Sequence, residues 1–367
     1  MNKIIFCQTP FQVIVSLLIR KQYSKNTNRF DIVIVNFFSG YETIAQRLID
    51  KKVFDNVYVA EVRDFILAKG GINNIKKLSK VLSPKKMISD TLPNLAKKYE
   101  EMFCWNYDAF TASFRTAYSS KEKQIKLNIY DEGFITYLPV NDTIPKRGFM
   151  KIIEHLNAKR GLPGLTRENV DAYYLLEPSA IYFETNAQIF EIDRKLTNCD
   201  EIREIIDYLF DASKEVKKYD KKYIILEEAF LANVPDVDDE GIFDRIIQNV
   251  GIENVIVKLH PRTNTDRFTK KGIKTIGQSG VPFEALALCG DFSDKKLIGI
   301  SCGTIPTYRM LFGDNFNGYM LFKYVKPDVP WFKNKYSGFW DRLEAAPGQK
   351  GIHFPQSEND LYKELFR

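Results

Sequence analysis

Two acidic pairs, one histidine and one serine-bearing turn are the parts of this sequence whose types and spacing can do chemistry. The first pair is Asp131-Glu132 in NIYDEGFITY, where a β-rich run ends in two carboxylates and a glycine. The second lies in VPDVDDEGIF, where Asp238 and Asp239 precede another Glu-Gly. A carboxylate held at a sheet edge can take a proton from a hydroxyl. His260 in VKLHPR closes another β-rich run, and Pro261 breaks it. Alternation puts Lys258, His260 and Arg262 on one face. An imidazole there suits an acid facing phosphate, and as ordinary structure it would bond a carbonyl. In ISCGTIPT, Ser301 and Thr304 flank Gly303 and lead into a helix. Hydroxyls and N–H groups at such a turn make an anion site, although Ser and Thr are also common helix caps.

Glu284 in VPFEAL opens a helix. A carboxylate there meets the helix dipole or accepts hydrogen bonds from a ribose diol, a role that recurs in two-domain nucleotide-sugar transferases. The order of these signals describes a nucleoside monophosphate site in the second half: a basic strand end, an acidic helix start, a hydroxyl-bearing strand end. Either acidic pair can supply the base. Asp131 and Glu132 end a strand of the first half. Asp238 and Asp239 follow a strand of the second half and also read as a helix cap and first-turn acid.

The elements that must position these residues follow a strand–helix rhythm. KIIFCQ, FDIVIVNFF and NVYVAEV are buried parallel strands, and helices FQVIVSLLIRKQY and YETIAQRLIDKK alternate with them. Thr9 and Pro10 start the first helix. The 65–102 region reads as Lys-rich and mostly helical, 103–113 as a further strand, and 123–133 as one ending in the first DEG. In open α/β sheets that edge binds ligands. From about 140 to 200 the pattern loosens. A long amphipathic helix over 201–219 then opens a second half, with strands at 222–230, 254–262 and 297–304. The reading is two α/β domains, 1–200 and 201–367, with a cleft between them.

Composition narrows the function classes. The 367 residues are 44% hydrophobic and 27% charged, as in a soluble globular chain. The first strand–helix turn, CQTPFQ, lacks GxGxxG, and no P-loop occurs, which argues against nicotinamide, flavin and P-loop enzymes. The five cysteines, Cys7, Cys104, Cys199, Cys289 and Cys302, have no metal or CxxC spacing, which suggests a reducing, cytoplasmic compartment. Cys7 and Cys289 read as core residues. The net charge of +6 is spread over Lys clusters, solvated faces that also suit an anionic partner such as a nucleotide-activated substrate or an acidic membrane. Nothing resembles a nucleic-acid motif, and no run of 18 apolar residues spans a membrane. The aromatic stretch 318–340 reads as core packing before interface or membrane contact.

CQTPFQ, YDEG, KLHPR and ISCGT, in that order, resemble the bacterial sialyltransferases that share an acidic D/E-D/E-G motif and an HP motif. The nearest branch is glycosyltransferase family 52, the lipooligosaccharide sialyltransferases. The resemblance implies a GT-B fold, two Rossmann-like domains facing across a cleft. It implies a CMP-sialic acid donor, a galactose-terminated acceptor on lipooligosaccharide or capsule, and a metal-independent inverting displacement without a cofactor. Asp131 or Glu132 would be the base and His260 the acid, with Asp238 the rival base. Lys258 and Pro261 would border the nucleotide, Glu284 would bind the ribose, and Ser301 with Thr304 would hold the phosphate. A homodimer is implied as well, and the setting would be cytoplasmic, at the inner face of the membrane. One departure is that a paired hydroxyl becomes Ser301-Cys302 here. Alternatives are a transferase of another CMP-linked acidic sugar or of a hexose, and a noncatalytic glycan-assembly protein.

Overall fold

A computed structural model describes residues 2–23, 29–67, 80–95, 98–138, 155–163, 170–228, 237–260, 263, 266–277, 280–313, 316–325, 337–345 and 351–367. The chain divides into two compact units, one of Met1–Pro178 with Glu184–Leu196, the other of Ser179–Phe183 with Thr197–Arg367.

The first unit is built on a parallel sheet. Its strands are β1 Asn2–Cys7, β2 Arg29–Val35, β3 Asn56–Ala60, β4 Glu101–Cys104, β5 Lys126–Tyr130, β6 Ala172–Leu175 and β7 Gln188–Glu191. They lie in the order β3-β2-β1-β4-β5-β6-β7. Ile4 to Cys7 are fully buried, as a central strand covered on both faces requires. Helix α1, Pro10–Gln22, starts as its sequence predicts: Thr9 is extended, its side chain accepts from the Gln12 N–H, and Pro10 takes the first turn. Helices α2, Tyr41–Lys51, α3, Arg63–Leu67, and α4, Pro84–Thr91, follow.

The expected strand over 103–113 is instead the end of β4 followed by helix α5, Ala109–Tyr118. Asp108 causes the switch by accepting from the Phe110 and Thr111 N–H groups at 2.9 and 3.0 Å. An aromatic-rich run read as β-forming is therefore helical once its cap is in place.

The second unit carries strands β8 Tyr223–Leu226, β9 Val255–Lys258, β10 Lys274–Ile276, β11 Lys296–Gly299, β12 Asn317–Met320 and β13 Ile352–His353. Their order is β10-β9-β8-β11-β12-β13, and the described pairs are all parallel. The long helix expected over 201–219 breaks into α6, Asp200–Phe210, and α7, Ala212–Val216. The break is Asp211, which sits in the left-handed region at φ 53. Helices α8, Asp239–Val250, α9, Phe283–Cys289, α10, Thr304–Phe312, α11, Ser337–Ala345, and α12, Glu358–Leu365, complete the unit. β8 stops at Leu226, four residues short of the expected run, so Glu227 and Glu228 stand just beyond its C-terminal end. Parts of the expected irregular region and of the aromatic stretch lie outside the described residues, at 139–154, 164–169 and 326–336.

Both sheets reverse their strand order once, at β1/β4 in the first unit and at β8/β11 in the second. Open parallel sheets bind ligands beyond the strand C-termini at such points.

Candidate functional site

In the first unit the two adjacent carboxylates after β5 do different things. Asp131 is fully buried. It accepts from the Gly133 N–H at 2.7 Å, from the Leu176 N–H at 2.9 Å and from the Tyr137 hydroxyl. Leu176 directly follows β6, so this carboxylate ties the β5 turn to its neighbour. Burial pushes its carboxyl up to about 6, against the three hydrogen bonds. Glu132 is half-buried. Its Oε2 accepts from the side-chain amide of Gln12, in the first turn of α1, and from the hydroxyl of Thr9, the cap of that helix, at 3.4 Å. The DEG motif therefore combines a structural acid with an accessible one.

The neighbouring strand ends are equally ordered. Gln8 donates to Asp108 at 2.7 Å and accepts from the Trp105 indole at 2.9 Å. These bonds join the end of β1 to the loop between β4 and α5. CQTPFQ is thus a connector across the sheet edge.

The second acidic pair is used otherwise. Asp238 is exposed and caps α8, accepting from the Gly241 N–H at 2.9 Å. Asp239 is buried and ion-paired with Arg267. A cap and a buried ion pair account for both carboxylates without a substrate.

In the second unit His260 is half-buried two residues beyond β9, and its N–H donates to Glu227 Oε2 at 3.0 Å. Glu227 also accepts from the Thr263 hydroxyl at 2.6 Å and from Arg267 at 3.3 Å. The turn that carries His260 is thereby fixed to the end of β8. Pro261 and Arg262 lie outside the described residues. Lys258 and Glu284 act on each other electrostatically: burial pushes the lysine down and the carboxyl up, and each opposes the other's shift. Glu284 is the second residue of α9 and is buried.

Ser301 occupies a different setting from the one its motif suggests. Its N–H and hydroxyl, with the Ile300 N–H, all donate to Glu228, the backbone bonds at 2.8 Å to Oε2. Two amides and a hydroxyl around a carboxylate form an anion nest, and here a side chain of the protein fills it. Burial pushes the Glu228 carboxyl up to about 7. Glu228 sits at the β8/β11 reversal and was not singled out by the sequence, where it is one of two glutamates in an apolar run. Thr304 begins α10, and its backbone and side chain hydrogen-bond the Cys302 thiol, which burial pushes up to about 12. Cys302 takes the place of the second hydroxyl and still engages the helix start. Among the described residues no cluster of His, Cys, Asp and Glu could hold a metal ion, and no helix is long and apolar enough to cross a membrane. The five cysteines are free thiols.

A family model described as alpha-2,8-polysialyltransferase (POLYST) matches residues 3–315. No curated protein matches the chain. Among solved structures, UDP-GlcNAc 2-epimerase from Methanocaldococcus jannaschii is similar at a TM-score of 0.54 and 13% identity, over 100% of this chain and 92% of that one. A sialyltransferase GT-B domain from Photobacterium damselae is similar at a TM-score of 0.52 and 10% identity, over 97% of this chain and 100% of that one. At such identities the likeness shows the fold, which is GT-B: two parallel-sheet α/β domains. The family match covers most of the chain, which therefore belongs to the alpha-2,8-polysialyltransferase family.

Proposed function

We propose that this member of the alpha-2,8-polysialyltransferase family transfers sialic acid from CMP-sialic acid to a hydroxyl of a surface glycan, with inversion and without a metal. The observation that carries the reading is the family match over residues 3–315. In the displacement, the acceptor oxygen bonds to the anomeric carbon as the bond from that carbon to the CMP phosphate breaks. A base takes the acceptor proton, and an acid neutralises the departing phosphate.

That Glu132 is only half-buried supports its role as the base, in preference to fully buried Asp131 and to Asp238, which caps a helix. His260, on a turn pinned to β8, supports the acid. Lys258 and Glu284, with Pro261 between them in sequence, are the residues we assign to the nucleotide and ribose. Thr304 at the start of α10 is our phosphate contact, and Ser301 joins it when Glu228 is protonated. The family description favours a sialic acid-terminated acceptor over the galactose expected from the motifs. The reading extends to a capsule or lipooligosaccharide glycan, a homodimer, and work at the inner face of the cell membrane, whose anionic surface suits the net charge of +6.

The test is transfer from CMP-sialic acid, in EDTA, to an α2,8-linked oligosialoside and to a lactoside. Wild type should elongate the sialoside, and His260→Ala and Glu132→Gln should each lose at least two orders of magnitude, as loss of acid–base catalysis does. Transfer from another nucleotide sugar in place of CMP-sialic acid would overturn the donor assignment. Preference for the lactoside would return the acceptor to galactose.

A further inference from the structure

We propose that Gln12 is a positioning residue for the base: its side-chain amide fixes the Glu132 carboxylate in place and keeps it ionised. The inference rests on the assignment of Glu132 as base. Its support lies in the part of CQTPFQ that the reaction chemistry leaves unexplained.

Gln12 is completely buried in the first turn of α1. Its Oε1 accepts from the Gln8 N–H at 2.5 Å, and its Nε2 donates to Glu132 Oε2. The orientation of this amide follows from its partners. A backbone N–H can only donate, so the oxygen must face Gln8, and the NH2 must face the carboxylate. A flipped amide would set NH2 against N–H and oxygen against carboxylate. The Gln12 N–H in turn donates to Thr9 Oγ1 at 3.3 Å, and Thr9 also reaches Glu132. The arrangement is close to a capping box, in which a Glu serves at this position as well as a Gln and gains from the helix dipole. Capping alone would therefore accept glutamate at position 12. The carboxylate of Glu132 would not, because two acids would then share one proton.

Among the described residues, the other titratable groups that act on Glu132 leave its titration visible. Cys7 from β1 and Tyr130 from β5 feel its charge, and burial keeps both neutral across the physiological range. Asp131 on the same turn faces Gly133, Leu176 and Tyr137 instead. It contributes equally to wild type and to a Gln12 variant, so a difference between their profiles reports the coupled pair of acids at positions 12 and 132.

The experiment compares wild type, Gln12→Glu, Glu132→Gln and the double variant carrying both. Activity is read as kcat/KM from pH 5 to 9, and folding as the melting temperature over the same range. In Gln12→Glu the acidic limb of kcat/KM should move up by about one pH unit or more. Its melting temperature should fall below that of wild type as pH rises above the carboxylate range. The double variant restores an amide–carboxylate pair in swapped order. It should recover the melting temperature and remain inactive, because its acid stands at the buried position. A Gln12→Glu profile that superimposes on wild type, with Glu132→Gln dead, overturns the positioning role and leaves the base assignment standing. An active Glu132→Gln overturns the base assignment, and the positioning role falls with it. If wild type transfers nothing, melting decides the contact: recovery in the double variant supports the Gln12–Glu132 pair, and its absence overturns it.

Discussion

Asp131 and Glu132 are neighbours with the same chemistry and opposite surroundings, so substitution should separate them. Asp131→Asn offers an NH2 where three donors converge. The mismatch should cost about 1–3 kcal/mol of stability and be visible as a lower melting temperature. Glu132→Gln should melt like wild type and lose transfer by about 10²–10⁴-fold. The pH dependence of stability has a definite sign. Burial raises the folded carboxyl of Asp131 from 3.8 to about 6. Between those values the folded state binds more protons than the unfolded one, so this contribution to stability falls as pH rises through the window. Melting from pH 4 to 7 should show that decline in wild type and a flatter curve in Asp131→Asn. At this scale the sequence made the acid pair visible but not the division of labour. Adjacent residues at a strand end point in opposite directions. Which direction is buried depends on Tyr137, six positions on in the same run, and on Leu176, 45 positions away. Gln12 closes the CQTPFQ run that carried the resemblance but received no role of its own, since its partner lies 120 positions away.

At the scale of elements, the turn from β11 into α10 is held by Glu228, just beyond the end of β8, and by the lack of a side chain at Gly299. A Cβ at Gly299 would lie 2.8 Å from Cys302 Cβ and 3.4 Å from Ile305 Cδ1. Gly299→Ala should therefore force the turn outward, cost about 1–3 kcal/mol as overpacking does, and weaken CMP binding measured by calorimetry. Glu228 makes a second prediction. While ionised it holds the donors of Ile300 and Ser301 that a phosphate would use. The charge of Asp239 further opposes its ionisation, and Cys302, neutral in the physiological range, packs beside it. CMP affinity should fall as pH rises from about 6 to 8, through the value near 7 to which burial brings Glu228. Glu228→Gln should flatten that dependence, whereas a wild-type affinity constant over the range would mean that the phosphate never approaches this nest. The parallel strands were readable because doubly covered strands are continuous apolar runs. Helix α5 was not, because its residues are aromatic and its stop-and-start signal is the single cap Asp108. The break at Asp211 escaped for a similar reason: its left-handed backbone interrupts an apolar spacing that continues on both sides.

At the scale of the whole molecule, each unit is a complete α/β fold with its own sheet, core and order reversal, so a ligand held by one need not stabilise the other. The alternation of strands and helices foretold two such folds. The return of Ser179–Phe183 to the second unit left no trace in the sequence, because five residues carry no periodicity of their own. CMP is the nucleotide part of the proposed donor, and all of the residues assigned to it stand in the second unit. Hydrogen exchange with and without CMP should therefore show protection around Lys258–His260, Glu284 and Ile300–Thr304, and none around Asp131–Tyr137. The binding itself should survive EDTA unchanged, since the proposed contacts are side chains and helix-start amides. It should weaken with added salt, because the ligand is anionic and the chain carries 53 Lys and Arg against 47 Asp and Glu. Saturation at one hundred times the dissociation constant adds about 2.7 kcal/mol to a folded state that alone binds the ligand. That is enough to move the melting of a unit of this size by several degrees. If the two units melt separately, only the second should shift. Protection confined to the first unit would reverse the assignment of donor and acceptor sides, and protection that appears only with a divalent cation would replace the metal-free reaction with a metal-assisted one.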